Sequence, residues 1–202
     1  MAAIVLSGGE NQRMGTDKAF LKIDGIPMIE HILRALTSTF DEIIIVTNSP
    51  RLYTAYDATI VTDAYDKRGP LTGIYSGLLR TTDEYNFVLA CDMPFVNARL
   101  ISYMMGLTDG FDIVIPSIGR LLEPLHAVYN KGLLPVIESR IHRDNQQIRG
   151  IFGETQVRVR YVTAAEIDLY DQGRRSFMNL NTPVEYKEAT CSDLECRNCS
   201  SF

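Results

Sequence analysis

Residues 6–18, Leu6-Ser7-Gly8-Gly9-Glu10-Asn11-Gln12-Arg13-Met14-Gly15-Thr16-Asp17-Lys18, hold three glycines and the two fixed cations Arg13 and Lys18. Glycine permits close backbone approach and unusual dihedrals, so successive N–H groups can point at anionic oxygens. The two cations add positive charge to the same loop. That is phosphate-handling chemistry, although both the Rossmann pattern G-x-G-x-x-G and the Walker spacing G-x-x-x-x-G-K-[ST] are absent. The bland alternative is a glycine-rich surface turn with incidental charges.

Asp92 follows the apolar run Phe87–Ala90 and precedes Met93-Pro94. A carboxylate there suits a hard divalent cation such as Mg²⁺, which takes one or two carboxylates and completes its shell with water and phosphate. It equally suits a helix N-cap or an Asx turn before proline. Asp63 follows Ile60-Val61, and Asn48 follows Val46, in comparable positions. Gly69-Pro70-Leu71-Thr72-Gly73 opens an apolar helical pattern, and its exposed N–H groups suit a phosphate or a purine edge. Pro70 is also ordinary capping. Asn179 and Asn181, two apart, are expected at a strand end, with both amides on one face.

These residues need elements to hold them. Ala2–Leu6 is a short apolar run ending in Ser7-Gly8-Gly9, which predicts a buried strand delivering the chain into a loop. Phe20–Ile23, closed by Asp24-Gly25, predicts a second extended piece and a turn. Pro27 suits a helix first turn, and Met28, Ile29, Ile32, Leu33 and Leu36 recur at helical spacing. The β-branched run Ile43–Val46 predicts a strand covered on both faces, with Ile60-Val61 beside it. A helix is expected from Gly69-Pro70 through Leu79, and strands at Phe87–Ala90, Ile113–Ile115 and Ala127–Tyr129. Further helices are expected around Ala98–Met105 and Leu133–Ile141, an edge strand at Val157–Tyr161, and a last helix from Thr182-Pro183. Alternation of this kind predicts a three-layer α/β/α sandwich with a mostly parallel, Rossmann-like sheet. Ligands in such folds bind at the carboxyl ends of the strands, where the strand order reverses. Residues just after Leu6, Val46, Val61 and Ala90 are therefore the informative ones.

The 202 residues include 20 Lys+Arg and 25 Asp+Glu, a formal charge of −5, with 46% hydrophobic and 22% charged. Such a chain can bury a core and is not disordered. Net acidity argues against a nucleic-acid or anionic-membrane binder. Lys67, Arg68, Arg13 and Lys18 make the positive charge local instead. No basic leader and no membrane-length apolar run occurs, so a cytoplasmic protein is expected. Cys91 stands alone, while Cys191, Cys196 and Cys199 crowd the end. Three thiols without a nearby His lack the fourth ligand of a closed zinc site, so residues 188–202 are expected to be a flexible tail beyond a domain spanning 1–187. His31 and His142 are expected to pack or face solvent. Tyr75 and Tyr129 are expected mainly in the core.

Taken together, the chain resembles the molybdenum cofactor guanylyltransferases, within the nucleotidyltransferase fold. The likeness rests on the glycine loop with Arg13 and Lys18, then Asp63, Gly69–Gly73 and Cys91-Asp92-Met93-Pro94. It continues in Glu123-Pro124-Leu125-His126-Ala127-Val128-Tyr129 and Asn179-Leu180-Asn181-Thr182-Pro183. Relatives that use CTP typically read Leu-Ala-Ala-Gly in the first segment, so Leu-Ser-Gly-Gly points towards GTP. The resemblance implies transfer of GMP from GTP to the terminal phosphate of molybdopterin, with release of pyrophosphate. It implies that Arg13 and Lys18 neutralise phosphate and that backbone N–H groups of Gly8 and Gly9 hold it. Asp92 would bind Mg²⁺. Leu6, Ser7, Asn48, Asp63, Pro70, Leu71 and Gly73 would contribute to the nucleotide site, with Asn48 and Asp63 against guanine or ribose. Asn179 and Asn181 would face the acceptor or the metal's water shell, and His126 would line the acceptor site or serve the structure. Molybdoenzymes or cofactor-insertion proteins are candidate recipients of the product. The rival readings are a CTP-dependent molybdopterin cytidylyltransferase, another small-molecule nucleotidyltransferase of this fold, and a non-catalytic nucleotide-binding partner.

Overall fold

All five residues of the first strand, β1 (Ala2–Leu6), are buried. In the computed structural model, which describes residues 1–8, 18–67 and 69–180, β1 sits inside the main sheet. The other strands are β2 (Lys22–Ile23), β3 (Ile26–Pro27), β4 (Glu42–Val46), β5 (Thr59–Val61), β6 (Tyr85–Ala90), β7 (Ile113–Ile118), β8 (Leu121–Leu122), β9 (His126–Asn130) and β10 (Val159–Thr163). The helices are α1 (Met28–Leu36), α2 (Pro70–Arg80), α3 (Ala98–Met105), α4 (Leu134–His142) and α5 (Ala164–Asp168). The sheet runs β10-β7-β9-β6-β1-β4-β5, with β8 paired to β7. β9 alone in that path runs antiparallel to both neighbours, so the sheet is mostly parallel, as expected.

Alternation along β1 sends Ala3 and Val5 to one face and Ala2, Ile4 and Leu6 to the other. The first face meets α1, α3 and α5 through Ile29, Ile32, Leu36, Leu100, Ile101, Met104 and Ile167. The second meets α2 and α4 through Leu71, Ile74, Leu78, Ile137 and Ile141. This is the α/β/α sandwich. α2 lies unusually close to β1, because a Cβ on Gly77 would stand 2.4 Å from Ile4 Cγ2, and one on Gly73 3.2 Å from Leu6 Cδ2. The spacing Gly73-x-x-x-Gly77 puts both on one stripe of the helix.

Several boundaries differ from the sequence expectation. Lys18–Phe20 is a 3₁₀ turn, and only Lys22–Ile23 is extended, in a small hairpin with β3. Its two-residue turn, Asp24-Gly25, has φ of 51° and 81°, the paired positive values that favour Asp-Gly in tight hairpins. Pro27 ends that hairpin and stands just before α1 instead of inside it. The edge strand runs Val159–Thr163, two residues later than expected at each end. α5 was not foreseen, although Thr163 and Glu166 form a capping box whose T-x-x-E spacing is visible in the sequence. The expected last helix, and the tail with Cys191, Cys196 and Cys199, lie outside the described residues. Among the described residues no helix is long and apolar enough to cross a membrane.

Candidate functional site

The chain leaves β1 for β4 and β5 on one side, then returns through α2 to β6 on the other. The order thus reverses between β1 and β6, where this class of sheet opens a crevice at its carboxyl edge. Leu6 and Ser7 begin that edge. The Leu6 C=O accepts from Cys91 N–H at 3.1 Å, and Ser7 N–H donates to Val46 C=O at 2.8 Å. The Ser7 hydroxyl is buried 2.5 Å from the Tyr53 hydroxyl, so a ligand would meet the backbone here. Gly8 is exposed, and a Cβ on it would come 3.9 Å from Asn48 Nδ2.

Asn48 follows β4, and its Nδ2 donates to Asp63 Oδ2 at 2.7 Å. The structure therefore joins Gly8, Asn48 and Asp63, residues that end three successive strands. Asn48 is exposed and Asp63 half-buried, so both remain open to a ligand. Pro70 is exposed at the start of α2, whereas Leu71 and Gly73 are buried in its packing. Gly73 acts by letting α2 approach Leu6, and any contribution of Leu71 to a ligand would come from its backbone.

On the other side of β1, Asp92 ends β6 in a turn and is half-buried. Its C=O accepts from Leu180 N–H at 2.9 Å. Leu180 is 1% exposed and packs with Ile23, Met28, Leu21 and Phe95, which fastens residues 178–180 beside the hairpin that follows Lys18. Asn179 is thereby exposed next to the backbone of Asp92. It lies in irregular chain after a 3₁₀ turn, Arg175–Phe177, and not on the expected strand. That turn is shaped by Asp171, whose carboxylate accepts from the N–H groups of Arg175 at 3.2 Å and Ser176 at 2.9 Å. Lys18, half-buried, opens its own 3₁₀ turn. Gly9, Arg13 and Asn181 lie outside the described residues.

His126, expected to line the acceptor site or to serve the structure, lies in the core. The ring is fully buried, edge-on to Phe87 at 5.0 Å between centroids and to Phe177 at 4.9 Å. Among the described residues neither ring nitrogen has a hydrogen-bond partner. Burial pushes its pKa down to about 3, partly offset by the charge of Asp171, so the ring is neutral. It supports the segment that presents Asn179. Tyr129 is likewise core, its hydroxyl donating to Pro124 C=O at 2.8 Å.

In the sequence Glu123 stands out only as part of the Glu123–Tyr129 motif, and nothing there marks Arg149. Burial holds the Glu123 carboxyl above its ordinary range, the Arg149 guanidinium opposes that, and the charge of Asp92 adds to it. A second carboxylate and a cation therefore border the Asp92 side. The turn Glu123-Pro124 before β9 carried that signal, which needed the β9 reversal to be placed. Among the described residues no group of three or more His, Cys, Asp or Glu could hold a metal ion. One or two carboxylates with phosphate oxygens is the donor set of a hard divalent cation, and Asp92 fits it.

Comparison with known proteins finds relatives over most of the chain. The MobA-like NTP transferase domain matches residues 3–159. A molybdenum cofactor guanylyltransferase of Desulfosudis oleivorans is 36% identical over 191 residues, covering 94% of each chain. One from Syntrophotalea carbinolica is 31% identical, covering 93% of this chain and 89% of that one. The crystal structure of molybdopterin-guanine dinucleotide biosynthesis protein A from Archaeoglobus fulgidus superposes with a TM-score of 0.82 at 28% identity, over 96% of this chain and 100% of that one. On these likenesses, over most of its length, the chain belongs to the MobA-like NTP transferase family.

Proposed function

We propose that this chain is a molybdenum cofactor guanylyltransferase, transferring GMP from GTP to the terminal phosphate of molybdopterin. What supports this reading is that Gly8, Asn48 and Asp63 follow the carboxyl ends of β1, β4 and β5, while Asp92 follows β6 with Asn179 beside its backbone, at the same edge of the sheet. A nucleotide fits the first group and an acceptor the second, with the reacting phosphorus between them.

An oxygen of the acceptor's terminal phosphate forms a bond to the α-phosphorus of GTP. The bond from that phosphorus to the bridging oxygen breaks, and pyrophosphate leaves with the electron pair. The nucleophile is already anionic at neutral pH, so no buried base is required and no proton transfer is asked of His126. The chain's work is positioning and charge stabilisation. Lys18 and Arg13 set positive charge against the phosphates, and the Gly8 and Gly9 N–H groups orient them. Asp63 and Asn48 hold the nucleoside. Asn179 and Asn181 orient the acceptor. Asp92 would hold a divalent cation, for which we take Mg²⁺; when bound it supplies charge neutralisation to the phosphate oxygens.

The test is pyrophosphate release by the full chain with molybdopterin, comparing GTP with CTP. GTP should support release, and excess CTP should compete poorly. Equal use of CTP would move the chain to the cytidylyltransferases. No release with either nucleotide would leave a nucleotide-binding partner.

A further inference from the structure

Residues 62–67, which follow β5, have no regular secondary structure, yet side chains outside the nucleotide site pin them at successive points. Ala64 N–H donates to Ser76 Oγ on α2 at 2.9 Å. The Lys67 C=O accepts from Thr72 Oγ1 at 2.8 Å, and Lys67 Nζ pairs with Asp144 at 2.9 Å. Between these points the Tyr65 hydroxyl donates to Glu138 Oε1 on α4 at 2.8 Å. The same oxygen accepts from the Tyr75 hydroxyl on α2 at 3.0 Å. One carboxylate thus ties the loop, α2 and α4 together. The Tyr65 ring packs 5.4 Å from Tyr75 and edge-on to His142 at 5.6 Å.

This tie lies two residues from Asp63. The path of residues 62–66 sets where the Asp63 carboxylate stands, and its 2.7 Å bond with Asn48 leaves little room for a shift. Apolar contact would suffice to hold α2 against α4. Two phenol protons on one carboxylate oxygen add direction, which fixes a loop and not merely a pair of helices. We propose that Glu138 is a positioning residue for nucleotide recognition, acting through Tyr65 and Tyr75 on the loop that carries Asp63. This rests on the reading of Asp63 as a nucleoside contact. The two phenol bonds hold Glu138 ionised, its carboxyl below the ordinary range, so the tie persists through neutral pH.

Steady-state kinetics on the full chain, with thermal melting as a control, test this. Glu138→Ala should raise KM for GTP about tenfold, with kcat within about twofold, because the phosphate machinery is untouched. Glu138→Gln keeps an acceptor oxygen for both phenols and should recover most of that loss. Tyr65→Phe keeps the ring packing, so it folds even where the alanine variant does not, and should raise KM about threefold. The pair Tyr65→Phe with Glu138→Ala should be no worse than Glu138→Ala alone, as members of one network. An unchanged KM in both single variants, a loss confined to kcat, or no recovery with glutamine overturns the proposal. Asp63→Ala separates it from its premise. If Asp63→Ala leaves KM for GTP unchanged, the assignment of Asp63 fails and the proposal with it. If that variant raises KM while Glu138→Ala does not, only the tie fails.

Discussion

The β1-β4-β5 half of the sheet and the β6-β9 half meet at the same crevice but hold their site residues by different physics. In the first, polar groups at the strand ends and on the helices behind them have polar partners. Ser7 has Tyr53, Asn48 has Asp63, Ala64 has Ser76, and Glu138 has two tyrosines. In the second, among the described residues the buried His126 nitrogens and Ser176 Oγ have no hydrogen-bond partner, and Asn179 is positioned by the burial of Leu180 together with backbone bonds to Asp92 and Asp171. A nucleoside is recognised by directional bonds, which must be aimed before it arrives. Two polyanions need a place with the right charge, which apolar packing can supply provided Asp92 and Lys18 are held there.

The sharpest break in this comparison is Asp92→Ala. If charge on the β6 side carries the chemistry, turnover should fall on the order of 10³-fold and GTP binding should lose its dependence on added Mg²⁺. The Leu180 bond to the Asp92 backbone is kept in this variant, and thermal melting checks that the fold remains. A rate within tenfold of the parent, or an unchanged Mg²⁺ titration, would remove the assignment.

The next largest effect tests the packing behind the β1 side. Gly77→Ala puts a methyl group 2.4 Å from Ile4 Cγ2, against a strand that cannot retreat because both its neighbours hold it. Overpacking of this kind costs about 1–3 kcal/mol. Urea unfolding should show the loss at unchanged slope, and a neutral result would mean that α2 can shift. By contrast, Asp63→Ala should leave stability alone and raise KM for GTP about tenfold, which corresponds to about 1.4 kcal/mol. A change in kcat instead would place Asp63 on the chemical step.

The two halves also differed in how far the sequence could be read. Strands followed by Ser7, Asn48, Asp63 and Asp92 were legible because continuous apolar runs ended abruptly in polar residues. Their meeting followed from the rule that such strands share a carboxyl edge. The reversal of β9 was not legible. Ala127–Tyr129 reads as a buried strand in either direction, and what reverses it is the path through Gly119, at φ 64°, and the short β8. The burial of His126 follows from that reversal, since Leu89 lies opposite it and sends it to the face with Phe87. A residue inside a functional motif can thus belong to the core, and only the direction of β9 decides between lining and structure. Glu138 was invisible for a different reason: its two tyrosine partners are 63 and 73 residues away.

The smallest effect concerns that histidine and decides whether the second half is apolar support. A buried imidazole with two unpartnered nitrogens costs stability, so His126→Leu, similar in volume, should be neutral or stabilising by about 1 kcal/mol at pH 8. His126→Ala should instead open a cavity and destabilise by about 2 kcal/mol or more. The folded pKa, about 3, lies below the ordinary 6.5, so the unfolded chain binds the proton first. The ring costs nothing extra above pH 6.5, and stability falls by about 1.4 kcal/mol per unit as pH drops below that value towards the folded pKa. Asp171, the charged group that offsets the shift, is present in both proteins, so the difference between parent and His126→Leu isolates the ring. The variant's unfolding midpoint should pull ahead progressively between pH 6.5 and 5. Equal pH dependence would mean that the ring is solvated or bonded in solution. Lost acceptor turnover in a fully stable His126→Leu would give the ring a ligand to face, and the contrast between the two halves would fall with it.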